Sequence, residues 1–239
     1  MECVFRGSKI FYQYYDYGGD ATNIYLHGWG RSSDELLFFK EHLKQSSLFI
    51  DFPPFGKSDK DIDGWSIFTY ANLVCFLCEK IGIKKYNLIG HSFGGRVAIL
   101  LCVLCKDAVK KLVLLDSAGV KPRRGLRYHI KVWSFKRRKK KGLDVSRLGS
   151  EDYRNLPENI KPIFVSIVNT HLDEFLPFIN CKTLIIFGEQ DKVTPLYMAR
   201  KLNRKIRKSK LVILKNCGHF CYVDRRVEVV CQMKNFLGA

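Results

Sequence analysis

The stretch NLIGHSFGGRVAIL, residues 87 to 100, constrains the chain more tightly than any other. It is apolar through Ile89, turns at Gly90, and resumes after Gly94 and Gly95 as a helix-like apolar run. A strand that passes into a helix over so few residues lifts the residue at the corner, Ser92, clear of both elements. Side chains flanking so tight a corner would collide across it, which is why glycines stand there. Gly90 to Gly94 reads Gly-x-Ser-x-Gly between a strand and a helix, the context that gives this spacing chemical meaning. A hydroxyl is a weak nucleophile at neutral pH. It needs a base beside it and donors for the oxyanion its attack creates. The Phe93 amide, opening a helix whose N-terminal dipole favours negative charge, is one such donor.

The remaining chain repeats two patterns. KIFYQYYDYG alternates and ends in glycine, reading as a strand or hairpin, while TNIYLHGWG and SSLFIDFPPFGKSD are apolar strands entering Gly/Pro loops. TYANLVCFLCEKIGI has helical spacing with Gly82 near its end, and VKKLVLLDSAG is a further strand. From about Val120 to Asn180 the pattern turns basic and helix-like. KTLIIFGEQD and KLVILKNCGH then return to strand and loop, separated by the helical PLYMARKLNRKIRK, and RRVEVVCQMKNFL closes as an amphipathic helix. Strands alternating with helices predict an α/β fold, a mostly parallel central sheet with helices on both faces. The break predicts a core of residues 1–119 and 181–239 interrupted by a helical insertion over 120–180.

In this order, HGWG, DFPPFGKSD, GHSFGG, FGEQDKVTP and NCGHF resemble the motifs of the alpha/beta-hydrolase superfamily. The likeness spans nearly the whole chain outside 120–180, and several motifs in register are far more specific than any one. The resemblance implies an alpha/beta-hydrolase fold in which the insertion forms a cap, or lid, over Ser92. It implies a serine nucleophile, Ser92, with the chain order Ser, Asp, His. His219, in the Gly-His loop after the last strand, takes the place of the catalytic base. The orienting acid falls on Asp191, after the penultimate strand, with Asp116, after the strand before it, as the alternative. Trp29 in HGWG supplies the second oxyanion amide beside Phe93, on a loop that Gly28 and Gly30 allow to bend and His27 braces. His91 shapes the turn together with Gly90 and Gly94. The remaining histidines, His42, His129 and His171, read as solvated side chains. One departure from the pattern is Pro54, where the resemblance expects glycine.

The net charge of +18 is local. Residues 121–147 hold 12 Lys/Arg against a single acid, Asp144, and residues 200–210 hold seven and no acid, while the remainder is neutral. In the second segment Ala199, Leu202 and Ile206 share one helical face, which leaves the cations on the solvated side. The first lies in the insertion and reads as a solubilising face, as an attractor for an anionic substrate or an acidic carrier protein, or as an incidental contact for a nucleic acid or an anionic membrane surface. No nucleic-acid-binding motif is present. The nine cysteines are an odd number scattered through apolar segments and suit a reducing compartment; CFLC and CVLC sit in helical runs with no turn to wrap a metal, so they read as core filler. No run approaches the roughly 18 apolar residues of a membrane span and no secretory leader opens the chain, so a cytoplasmic protein is expected.

These features predict hydrolysis of a carboxylic ester or thioester of a small acyl substrate through an acyl-enzyme on Ser92, with no cofactor and no metal. HGWG with a basic cap is also similar to the carrier-protein methyl ester esterases of biotin synthesis. A serine at the nucleophile position argues against haloalkane dehalogenases and epoxide hydrolases, which place aspartate there. The rivals are a carbon-carbon bond hydrolase with the same triad, a triad-bearing receptor or regulator with slow turnover, and a polyanion-binding protein with an inactive core. Oligomeric state is not legible.

Overall fold

The apolar runs expected as strands are strands in the computed structural model, which describes residues 1–145 and 151–239. The chain opens with an antiparallel hairpin, β1 (Glu2–Phe5) and β2 (Ser8–Tyr15). There follow β3 (Thr22–Leu26), α1 (Phe38–Leu43), β4 (Ser47–Ile50), α2 (Ile67–Ile81), β5 (Tyr86–His91), α3 (Phe93–Leu104) and β6 (Val109–Leu115). Between β6 and the next strand the described residues form only helices and loops, with α4 (Leu126–Lys140), α5 (Glu151–Arg154) and α6 (Lys161–Asn169). Residues 146–150 of the expected insertion lie outside the described residues. The α/β pattern then resumes with β7 (Lys182–Gly188), α7 (Leu196–Lys205), β8 (Ser209–Leu214), α8 (Cys221–Asp224) and α9 (Arg226–Leu237).

The strands form one sheet in the order β1-β2-β4-β3-β5-β6-β7-β8, antiparallel at β1·β2 and β2·β4 and parallel from β4 to β8. Alternate side chains of the central strands feed two cores. Ile24, Leu26, Leu88, Leu112, Leu114, Ile185 and Phe187 pack with α2 and α3, whereas Tyr25, Ile89, Val113, Leu115, Leu184 and Ile186 pack with α1 and α9. A strand buried on both faces has no polar side to show, which is why these segments read as continuous apolar runs. The catalytically interesting loops all leave the C-terminal ends of the parallel strands, so strand order alone gathers them along one edge.

Local signals fix the helix ends. Ser66 and Thr69 form a reciprocal capping box at the start of α2, and Gly82 ends it with φ 85°. Ala199, Leu202 and Ile206 of the α7 segment are buried, while Arg200 and Arg204 face solvent. Lys201 instead pairs with Asp173, and Lys205 Nζ donates to the Asp173 carbonyl at 3.2 Å, which joins α7 to the loop after α6. One contact joins the two CxxC pairs, Cys75 Sγ lying 3.1 Å from Cys105 Sγ, while Cys102 Sγ lies 3.9 Å from Cys181 Sγ, outside both pairs. Among the described residues no His, Cys, Asp or Glu cluster has an arrangement that would hold a metal, and no helix is long and apolar enough to cross a membrane. The basic helix α4 exposes Leu126, Ile130 and Trp133, with the Arg137 guanidinium 5.2 Å over the Trp133 ring.

Candidate active site

The corner between β5 and α3 holds Ser92 at φ 48° and ψ −109°, a conformation that a side chain adopts only under constraint. Backbone bonds supply it: Ser92 N donates to the Leu115 carbonyl at 3.1 Å, and the Ser92 carbonyl accepts from Ala118 N at 3.0 Å. The flanking glycines answer to space. A Cβ on Gly90 would come within 2.6 Å of the Gly94 carbonyl, one on Gly94 within 2.0 Å of the Leu26 carbonyl, and one on Gly95 within 2.1 Å of Ser117 Oγ. The helix therefore lies against the ends of β3 and β6, with Ser92 raised at its start.

Ser92 Oγ lies 3.1 Å from His219 Nε2, and His219 Nδ1 lies 2.8 Å from Asp191 Oδ2. A carboxylate only accepts, so Nδ1 carries the proton and the Nε2 lone pair faces the serine hydroxyl. The other Asp191 oxygen accepts from Val193 N at 2.7 Å and Thr194 N at 2.9 Å. Burial acts to raise the Asp191 carboxyl, but the hydrogen bonds from His219 and Thr194 outweigh it and hold it below the usual carboxylate range. Such a chain of contacts can take a proton from the serine oxygen and hold the resulting imidazolium.

Asp116 stands elsewhere. Its carboxylate accepts from Gly188 N at 2.8 Å and Cys221 N at 2.9 Å, and no bond joins it to His219. It binds the end of β6 to the end of β7 and to the helix that follows His219. Thr194, which the sequence reading left without a role, connects the two acids: its hydroxyl lies 2.5 Å from Asp191 Oδ2 and 3.0 Å from the Asp116 carbonyl. An oxygenated side chain after a strand-end aspartate was visible in DKVTP, but its partners were not.

The loop after β3 approaches from the other side. Neither the Trp29 nor the Phe93 amide has a protein acceptor among the described residues, so both are available as donors. Gly30 bends the loop with φ 76°, whereas Gly28 is needed for a different reason from the expected flexibility: a Cβ there would stand 2.8 Å from His91 Nδ1. His27 accepts from Phe52 N at Nε2 (2.8 Å), which leaves Nδ1 to donate to the Gly28 carbonyl at 2.7 Å. It thus joins the loop to the end of β4. His91 Nε2 donates to the His219 carbonyl at 2.9 Å, fastening the His219 loop to the residue before Ser92. Glu35, unmarked in the sequence reading, supports this group from below; burial works against its charge, yet His91 and Arg31 bring its carboxyl down to about 2. At the position of the unexpected Pro54 the Pro53–Pro54 peptide is cis, and Tyr70 Oη donates to the Pro53 carbonyl at 2.6 Å.

His27 carries a prediction about acid stability. Burial holds its pKa below the ordinary 6.5, so the folded protein keeps it neutral while the unfolded chain takes up a proton near 6.5. Stability therefore falls as pH drops below about 6.5, a window shared with His171, whose pKa burial also lowers. Asp191 and Glu35 withdraw their stabilisation only at lower pH, from the ordinary carboxylate range downward. The urea midpoint should decline between about pH 6.5 and 5, and His27→Asn should flatten that first decline. A midpoint constant down to pH 4.5 would contradict the assignment.

A cavity of about 230 Å³ opens beside Ser92 and is walled by Trp29 and Phe93 from the core, Phe164 and Ile167 from α6, and Arg96 from α3. The Trp29 ring packs against Phe55, Phe93 and Phe164 at 4.9, 5.3 and 5.2 Å between centroids.

A mostly parallel sheet with helices on both faces, and a serine on the corner between its central strand and helix, define the class: an α/β hydrolase. The family model for the alpha/beta hydrolase fold matches residues 24–162 and 140–225, and the chain belongs to that family and is a hydrolase. It is 27% identical over 249 residues to the uncharacterized hydrolase YugF of Bacillus subtilis (strain 168), covering 92% of this chain and 90% of that protein. It is 25% identical over 235 residues to the 2-hydroxy-6-oxononadienedioate/2-hydroxy-6-oxononatrienedioate hydrolase 1 of Pseudomonas putida, over 84% of this chain and 82% of the relative. Among solved structures it is similar in fold to the esterase EaEST from Exiguobacterium antarcticum, with a TM-score of 0.79 at 20% identity over 98% of this chain and 97% of that one.

Proposed function

We propose that this hydrolase cleaves a carboxylic ester or thioester of a small acyl group through an acyl-enzyme on Ser92. The observation that carries the reading is the hydrogen-bonded series Asp191, His219, Ser92, at 2.8 and 3.1 Å, opening on a small apolar cavity. The Ser92 oxygen attacks the acyl carbon while His219 Nε2 takes its proton. The carbonyl oxygen, now negative, is met by the Trp29 and Phe93 amides. His219 returns the proton to the departing alcohol or thiol, and a water repeats the sequence to release the acid. Asp191 keeps the imidazole in the required tautomer throughout. Residues 120–180 form the cap in this reading, since α6 supplies Phe164 and Ile167 to the cavity wall. The cysteines, none in a disulfide, suit a reducing, cytoplasmic setting.

A second reading, hydrolysis of a carbon-carbon bond by the same three groups, is favoured by the similarity to the Pseudomonas putida hydrolase. Incubation with 4-nitrophenyl butyrate and with a fluorophosphonate probe tests the main reading. Many turnovers per chain, abolished when the probe occupies Ser92, are expected. A single stoichiometric burst would instead mark a slow ligand-binding protein, and labelling at another residue would remove Ser92 from the nucleophile's role.

A further inference from the structure

A guanidinium in the wall of an apolar cavity calls for an explanation, because burying a charge without a counter-charge is unfavourable. Arg96 stands four residues after Ser92 on α3, is 6% exposed, and lines the cavity that Ser92 opens into. Side chains on a helix lean toward its N-terminus, so the Arg96 stem lies over the turn that carries Ser92. Four residues of helix rise about 6 Å, a distance that a short acyl chain spans.

The partners of Arg96 leave its charge unmatched. Nη1 donates to the Thr170 carbonyl at the C-terminal end of α6, and no carboxylate among the described residues lies within ion-pair distance. The nearest acid that acts on it, Asp173, is committed to Lys201 and to the Lys121 amide. Burial lowers the Arg96 pKa to about 10, which leaves it fully charged at neutral pH. Arg124 adds a second cation nearby: burial, and then the charges of Arg96 and Arg124, press His171 below its ordinary range.

Trp29 lines the same cavity, and its indole N–H, itself buried, has no acceptor among the described residues. Among the described residues no Asp or Glu side chain lines the cavity. A wall that offers donors and no ionised acceptor is matched by a ligand rich in acceptors, and a plain aliphatic acyl chain would leave these groups unsatisfied.

We propose that Arg96 forms a carboxylate-binding subsite, so that the preferred acyl group is that of a short dicarboxylic acid, esterified at one end and free at the other. This rests on the reading of Ser92 as the nucleophile. The planar guanidinium offers the paired donors that a carboxylate accepts, and a cavity of about 230 Å³ has room for a short chain. The free carboxylate supplies the counter-charge that the protein itself withholds, and it fixes which end of the substrate meets Ser92.

The test compares mono(4-nitrophenyl) glutarate with 4-nitrophenyl butyrate, which share a leaving group and differ by the distal carboxylate. Wild type is expected to favour the glutarate at least about tenfold in kcat/KM. Arg96→Met should lower the glutarate value about 10- to 100-fold, the range for a lost charge-assisted hydrogen bond, and lower the butyrate value by a smaller factor, so that the glutarate-to-butyrate ratio falls at least about tenfold. Arg96→Lys should keep part of the preference. Equal losses on both esters would reduce Arg96 to a tether between α3 and α6 and overturn the proposal, as would a wild type that does not discriminate. If neither ester is turned over, the ester-cleaving reading fails, and the subsite is judged separately by calorimetric titration with glutarate. Binding to wild type that disappears in Arg96→Met and partly returns in Arg96→Lys would uphold it; no binding to wild type would end it.

Discussion

Ser92→Ala should lower kcat/KM for 4-nitrophenyl butyrate by about 10⁴- to 10⁶-fold, because in the proposed mechanism the hydroxyl is the attacking atom and no neighbouring group replaces it. The fold should survive. Alanine and serine both carry a Cβ, so the cost of φ 48° is already present in the wild type, and the bonds that hold the corner run through the Ser92 backbone. The informative measurement is therefore activity beside thermal midpoint: a variant that keeps its midpoint and loses turnover identifies the oxygen. Activity within tenfold of wild type would place the chemistry on another residue.

Asp191→Asn should be nearly as damaging, about 10⁴-fold in kcat, and for a reason that can be followed atom by atom. Oδ1 accepts from the Val193 and Thr194 amides, so an asparagine must keep its carbonyl there. Its NH₂ group is then directed at His219 Nδ1, where a carboxylate oxygen stood at 2.8 Å. Nδ1 must become an acceptor, the imidazole proton moves to Nε2, and the face toward Ser92 can no longer take a proton. Asp116→Asn provides the contrast. It disturbs bonds to the Gly188 and Cys221 amides and should act on stability, leaving the His219 tautomer unchanged. A larger loss of kcat in Asp116→Asn than in Asp191→Asn would reverse the assignment of the orienting acid.

The two acids also show where sequence reading stops. Both follow apolar strands in short loops, and only the family resemblance puts Asp191 ahead of Asp116. What separates them is the path of the chain: the His219 loop follows β8, the neighbour of β7, so its imidazole comes down beside the residue after β7 and its backbone beside the residue after β6. Arg96 is a sharper instance. In FGGRVAIL it reads as the polar residue of a helix, and only the packing of α6 over α3 turns it into a buried charge beside a cavity.

The sequence by itself determined the elements and the corner. Continuous apolar runs specify strands buried on both faces, and the glycines around Ser92 specify a turn so tight that any Cβ at Gly94 would strike the Leu26 carbonyl. These are short-range consequences of side-chain volume and backbone sterics, so local patterns carry them. Tertiary structure decided which acid meets His219, what His27, His91, Thr194 and Glu35 hold in position, and where the charge of Arg96 points. Those outcomes depend on distances between segments far apart in the chain, such as the 3.1 Å between Ser92 Oγ and His219 Nε2, and only the ordering of the strands brings such groups within reach.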